Sequence, residues 1–234
     1  MDIKTIFFDL DDTLLDFDDY WKDSLIETFG KHPTTRGIEP HLLFQRLWDK
    51  NQIYEKLYHA QEITLRDFRN FRLIQAMREF DREIDEETAD EFNALHKSVS
   101  KQFMKASPGL LAFLIELKKS YQLGIVTNGT GSWQHDKIEA LGIKSLFSDE
   151  AIIISEDVGY EKPAPEIYGK ALACTHTAPE EALFVGDSWK NDVQGPIHIG
   201  MKAIWLNKKG EAVPEGLKPY GIITNLFDLK KFLL

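Results

Sequence analysis

The stretch Ile3-Lys4-Thr5-Ile6-Phe7-Phe8-Asp9-Leu10-Asp11-Asp12-Thr13 decides the fold. Ile3 to Phe8 is a short, mostly apolar run that ends in an acidic cluster. Such a run reads as a strand buried in a parallel sheet, with helices on both faces. Sheets of that kind bind ligands at the carboxyl ends of their strands. The first strand therefore delivers Asp9 to the edge where chemistry is done.

Outward from this strand the texture changes. Between about residues 16 and 106, charged and aromatic residues recur at helical spacing and strand-like runs are absent. Leu42, Leu43, Leu47 and Trp48 are expected to share one helical face, as are Phe68, Phe71, Leu73 and Ile74. Thr64-Leu65-Arg66-Asp67 resembles a capping box with aspartate in the glutamate position. Asp85-Glu86-Glu87 suits a helix N-terminus, where negative charge meets the positive end of the helix dipole. This segment is expected to hold three to five helices and no sheet.

Ser107-Pro108-Gly109 restarts the first pattern, with serine as N-cap and proline at the first helical position of a helix running to residue 119. Strands are predicted at 123–127, 152–154, 183–186, 202–206 and 222–223, and helices at 132–141, 163–173 and 189–199. This alternation argues for a parallel α/β sheet with right-handed crossovers. The expected architecture is a Rossmann-like parallel sheet sandwiched by helices, formed by residues 1–15 and 107–234, with an all-α domain inserted at 16–106.

Composition narrows the function. The chain has 234 residues, 43% of them hydrophobic, enough for a substantial core. Its net charge of -10 argues against a nucleic acid polymer as partner, because phosphate backbones attract basic surfaces. It does not argue against a small anionic substrate, since local lysines and a metal outweigh the global charge. Cys174 is the lone cysteine, so neither an internal disulfide nor a thiolate metal site is expected, and its apolar neighbours suggest a buried structural role. None of the seven histidines shows metal-ligand spacing. No apolar stretch approaches 18 residues and the N-terminus does not read as a signal peptide, so a cytoplasmic protein without a membrane span is expected.

Four segments carry the chemistry. Asp9 can attack phosphorus and form an acyl phosphate. Asp11, two residues on, can serve as acid and then as base. Thr127 offers a hydroxyl at a strand end, and the loop Asn128-Gly129-Thr130-Gly131 offers backbone N–H groups to an anion. Lys162, in Glu161-Lys162-Pro163, supplies a point charge for the phosphoryl group and for Asp9. In Gly186-Asp187-Ser188-Trp189-Lys190-Asn191-Asp192, Asp187 can join Asp9 in holding Mg²⁺, with Asp11 contributing its carbonyl and Asp192 a second contact or an orienting one. Asp12 reads as a loop residue. Each segment alone is an ordinary turn. All four in this order, each at a strand exit or in a loop, point to phosphoryl transfer through aspartate.

These four segments resemble the signature motifs of the haloacid dehalogenase-like hydrolase superfamily, matched by Asp9 and Asp11, Thr127, Lys162, and Asp187 with Asp192. The helical insert resembles that superfamily's first type of helical cap. The resemblance implies a Mg²⁺-dependent phosphatase that works through a phospho-aspartyl intermediate on a small phosphorylated metabolite. Residues 158–168 and 186–192 are similar to the pyrimidine 5′-nucleotidase branch, which implies a nucleoside 5′-monophosphate as substrate. A sugar-phosphate or phosphoglycolate phosphatase and a phosphomutase are the alternatives, and a catalytically silent binding protein is the reading from a different class. Asp11 argues against the dehalogenases and the phosphonate-cleaving relatives, which lack that aspartate. The cap aromatics, among them Trp21 and Trp48, are expected to be mostly core, with one or two free to stack on a base.

Overall fold

The computed structural model describes residues 2–60 and 62–233. The chain divides into two compact units, Met1–Phe17 with Lys105–Leu234, and Asp18–Met104.

The first unit is built on six strands: β1 (Thr5–Phe8), β2 (Gln122–Thr127), β3 (Ile152–Ile154), β4 (Ala182–Gly186), β5 (Lys202–Leu206) and β6 (Gly221–Ile223). They form one sheet in the order β3-β2-β1-β4-β5-β6, and every pair is parallel. β1 is buried along its whole length because both edges are paired and both faces covered. Phe8 stands opposite Ile125 of β2 and Val185 of β4, so Asp9 leaves the sheet between the ends of those two strands. The strand order reverses direction here, the usual place for a ligand crevice in an α/β sheet.

One face of the sheet packs Phe7, Val126, Ile153 and Phe184 against Ile167, Tyr168 and Ala171. Burying side chains of this size contributes roughly 2 to 3 kcal/mol each. Gly124 lets Phe7 lie flat on the neighbouring strand, since a Cβ there would sit 2.6 Å from the ring. Val193, Ala203 and Trp205 form a second cluster.

The helices, in chain order, are α1 (Phe17–Lys31), α2 (Pro40–His59), α3 (Leu65–Arg78), α4 (Glu86–Ser100), α5 (Leu110–Lys118), α6 (Gly131–Ala140), α7 (Ser155–Val158), α8 (Pro165–Thr175) and α9 (Gly195–His198). Two differ from expectation. α5 starts at Leu110 and not at Pro108, because Gly109 takes the left-handed conformation (φ 87°) and turns the chain before the helix begins. The segment after β4 is a π-helical turn, Trp189–Gln194, followed by the short α9, in place of one regular helix. Pro196 has no N–H to continue the helical ladder.

The second unit contains α1 to α4. The Thr64–Asp67 capping box forms in both directions, and Asp85 caps α4 through the Thr88 N–H. Leu25, Phe29, Leu43, Leu47, Leu73, Met77 and Phe92 are buried. Leu43 and Leu47 share the inner stripe of α2, whereas Leu42 and Trp48 lie outside it and are 39% and 38% exposed. The single-face expectation was too wide, because adjacent helical residues point about 100° apart. Among the described residues, no helix is long and apolar enough to cross a membrane.

Candidate active site

The ends of β1 and β4 and the loop before α8 bring three carboxylates around one ammonium group. Asp9, Asp187 and Asp192 each offer an oxygen, and these oxygens lie within 4.8 Å of one another. Lys162 Nζ sits 2.8 Å from Asp9 Oδ1 and 2.7 Å from Asp192 Oδ1. Asp192 is fully buried, and its other oxygen accepts the Ser188 N–H at 2.9 Å. Its carboxylate is thus committed to holding Lys162 and closing the turn after β4. Gly186 makes this possible, since a Cβ there would collide with the Asp192 carboxylate.

The electrostatics follow from the count of three carboxylates to one lysine. Burial pushes the Asp9 carboxyl up to about 8 against the pull of Lys162, and Asp192 adds to the rise. Burial also raises Asp187 to about 7, with Asp192 and Asp12 acting in the same direction. Burial alone would lower Lys162, but Asp192 and Asp9 outweigh it and hold the ammonium above the ordinary lysine range. One lysine does not offset three carboxylates, so without a further cation the site favours the protonated forms of Asp9 and Asp187. A hard divalent cation suits such an oxygen donor set.

Asp11 points to a different set of partners. Lys137 of α6 contacts both Asp11 oxygens at 2.7 Å, and Gln134 Nε2 donates to one of them at 3.1 Å. The same Gln134 nitrogen donates to Thr127 Oγ1 at 2.7 Å, so α6 ties the end of β2 to the acidic turn after β1. Lys137 and Gln134 are buried although both are polar, and the sequence reading did not single them out. Their i, i+3 spacing just after the Asn-Gly loop was the available signal. His135, between them, is exposed.

The Asn128 side chain clamps the backbone of Lys162 from both sides: its Nδ2 donates to the Lys162 carbonyl at 3.0 Å and its Oδ1 accepts the Lys162 N–H at 2.7 Å. In the loop expected to cradle an anion, the Gly129 N–H donates to Ser155 Oγ and the Gly131 N–H to the Glu156 carboxylate. Asp12 is a turn residue, with φ 55° and a carboxylate that accepts the Phe17 N–H at 3.0 Å. Trp205 holds the other side of the site by donating its indole N–H to the Asp187 carbonyl at 2.7 Å. Trp189 packs edge-on against Trp205, their centroids 4.9 Å apart. In the helical unit, Trp21 is 4% exposed and packs against Phe44 and Trp48, so it is core.

Relatives match this chain over nearly its whole length. The mouse (Mus musculus) N-acylneuraminate-9-phosphatase is 28% identical over 99% of this chain and 94% of its own length. The pyrimidine 5′-nucleotidase YjjG of Escherichia coli is 28% identical over 97% of this chain and 96% of its own. The crystal structure of the hydrolase YfnB from Bacillus subtilis, bound to magnesium, superposes with a TM-score of 0.84 at 23% identity, covering 100% of this chain and 99% of that one, a likeness of fold. The family model described as haloacid dehalogenase-like hydrolase matches residues 44–206, more than half of the sequence, and the chain belongs to that family.

Proposed function

We propose that this hydrolase is a Mg²⁺-dependent phosphatase of small phosphate monoesters that works through a phosphorylated Asp9. The observation that carries the reading is the convergence of the Asp9, Asp187 and Asp192 carboxylates within 4.8 Å, with Lys162 bridging Asp9 and Asp192. The family membership and the phosphatases among the relatives support it.

In this reading an Asp9 oxygen attacks phosphorus and the bond to the ester oxygen breaks. Asp11 gives a proton to the departing oxygen. It then takes one from the water that cleaves the acyl phosphate, which releases phosphate and restores Asp9. Asp11 thus starts and ends the cycle protonated, and it releases the Lys137 contact seen here in order to do so. Lys162 and Thr127 donate to the transferring phosphoryl group, and Asn128 and Asp192 keep Lys162 aimed at it. Asp9, Asp187 and the carbonyl of Asp11 would hold Mg²⁺, with Asp192 beside them. When bound, the cation offsets the carboxylate charge that an incoming phosphate meets and keeps Asp9 ionised.

Leaving-group recognition is assigned to the helical unit, residues 16–106, and phosphate chemistry to residues 1–15 and 107–234. The two relatives act on esters as unlike as an N-acylneuraminate 9-phosphate and a pyrimidine nucleotide at the same identity, so similarity alone supports either class. The test is phosphate release from p-nitrophenyl phosphate with Mg²⁺, then a panel of sugar phosphates, phosphoglycolate and nucleoside monophosphates. No release from any ester would overturn the reading.

A further inference from the structure

Gln134 places a buried amide among groups that the phosphoryl chemistry uses. It lies on α6, is 1% exposed, and its Nε2 meets three oxygens: Thr127 Oγ1 at 2.7 Å, Asp11 Oδ2 at 3.1 Å and the Asn128 carbonyl at 3.2 Å. All of these residues belong to the unit built on the sheet. The Asn128 carbonyl and the Asp11 carboxylate, paired here with Lys137, only accept hydrogen bonds. The amide therefore turns its nitrogen toward them and not its oxygen, and Thr127 is met by a donor. Gly129 leaves room for this amide, since a Cβ there would lie 3.0 Å from Gln134 Cδ.

A threonine hydroxyl has one proton to give and two lone pairs to offer. Gln134 takes a lone pair of Thr127, so the hydroxyl proton points away from the amide. Among the described residues its acceptor is the Asn128 carbonyl at 3.4 Å, beyond the ordinary range for an O–H donor. Thr127 is 1% exposed, so bulk water does not replace that poor partner. A buried donor without a good acceptor is uncommon in a folded chain and points to a missing partner. The Asp11 contact of Gln134 is duplicated, because Lys137 Nζ reaches both Asp11 oxygens at 2.7 Å. The Thr127 contact is the shortest of the three and is not duplicated among the described residues.

We infer that Gln134 is a positioning residue of the phosphoryl site: by donating to Thr127 it fixes the hydroxyl as a donor and reserves its proton for an oxygen of the transferring phosphoryl group. This rests on the phosphatase reading, in which Thr127 contacts that group, and adds the residue that decides which way the contact runs. Without the amide the hydroxyl is free to turn a lone pair toward the incoming oxygen, and two oxygens that face each other without a proton repel. A donor aimed before the substrate arrives needs no reorientation in the transition state.

The test is a double-mutant cycle on the full chain with Mg²⁺, read as kcat/KM for p-nitrophenyl phosphate. That leaving group departs without needing a proton, so the acid role of Asp11 weighs little in this quantity. Gln134→Met keeps the reach of the side chain, removes the donor, and should lower kcat/KM about tenfold, the worth of one hydrogen bond to a charged group. In Thr127→Val the hydroxyl is gone, and adding Gln134→Met there should change kcat/KM by less than about twofold. An amide with a merely structural role would cost as much in either background. Thermal melts establish that the variants fold; if Gln134→Met does not, Gln134→Asn, whose amide is withdrawn by one methylene, takes its place with the same expectation. If another ester is the one turned over, the cycle is read on that ester. Equal losses in the two backgrounds, or no loss with Thr127 present, overturn the role of Gln134 while the phosphatase reading stands. Failure of the wild type to hydrolyse any ester, p-nitrophenyl phosphate included, overturns both.

Discussion

Lys162 Nζ lies 2.8 Å from Asp9 Oδ1 in a site where both side chains are nearly sealed from water. The ammonium also contacts Asp192, so it is the one protein cation between two buried carboxylates among the described residues. Lys162→Met should leave those carboxylates facing each other. Breaking a buried pair by removing one partner costs about 3 to 5 kcal/mol. Urea unfolding in EDTA should show a loss of that size, and an unchanged midpoint would mean that the lysine does not hold the site together.

Asp9→Asn tests the nucleophile. The substitution keeps the shape at the end of β1 but removes the charge that attacks phosphorus. Phosphatase activity should fall by about four orders of magnitude or more while the thermal midpoint is retained. Turnover within tenfold of wild type would exclude Asp9 as the group that is phosphorylated.

EDTA should abolish activity, and Mg²⁺ should restore it. Ca²⁺ should not, because its looser and larger coordination shell suits in-line displacement poorly. Mg²⁺ should also raise the thermal midpoint of the inactive Asp9→Asn variant less than that of wild type, since one carboxylate ligand is gone. Full activity in EDTA would remove the metal from the mechanism.

Gly186→Ala should damage both stability and activity. The new Cβ would collide with the Asp192 carboxylate, which cannot move without releasing Lys162. Overpacking of this kind costs about 1 to 3 kcal/mol. Thermal unfolding and phosphate release should fall together, and a wild-type melting curve would show that the turn after β4 is looser than described.

The helical unit should lose stability in mild acid. Burial, with Arg72 and Arg69 nearby, lowers the His96 imidazole to about 3 from its ordinary 6.5. The unfolded chain therefore takes up a proton near pH 6.5 that the folded chain refuses. The stabilisation is complete above that pH and declines as the pH falls toward the folded value. Melting at pH 7.5 and at pH 5.5 should show the decline, and His96→Gln should flatten it. An equal slope in wild type and variant would assign the effect to other groups.

Much of the architecture was legible because its signals are local. The apolar run before Asp9, the strand-helix alternation after residue 107 and the caps at Thr64 and Asp85 each depend on neighbours a few residues away. The grouping of residues at the strand ends was legible for a related reason. In a parallel sheet every strand delivers its last residue to the same edge, so four segments distant in sequence are read as one site. Boundaries fared worse where a single residue overrides the pattern, as Gly109 does by turning left-handed before α5 and Pro196 by interrupting the ladder after β4.

The partners of the site residues were settled by the tertiary structure alone. Lys137 meets Asp11 across 126 positions of sequence, Asn128 clamps the backbone at Lys162 across 34, and Trp205 steadies the Asp187 carbonyl from the next strand. No local signal pairs these residues, because a polar side chain reads as solvated until the fold decides which surface is covered. The same holds for Arg72, whose burial against Phe68 and Trp21 arises from the packing around α3 and not from its residue type. Sequence pattern determines which groups stand at the strand ends, since periodicity is a property of consecutive residues. Burial and pairing are properties of the packed chain, and they decide which of those groups are charged, held and matched.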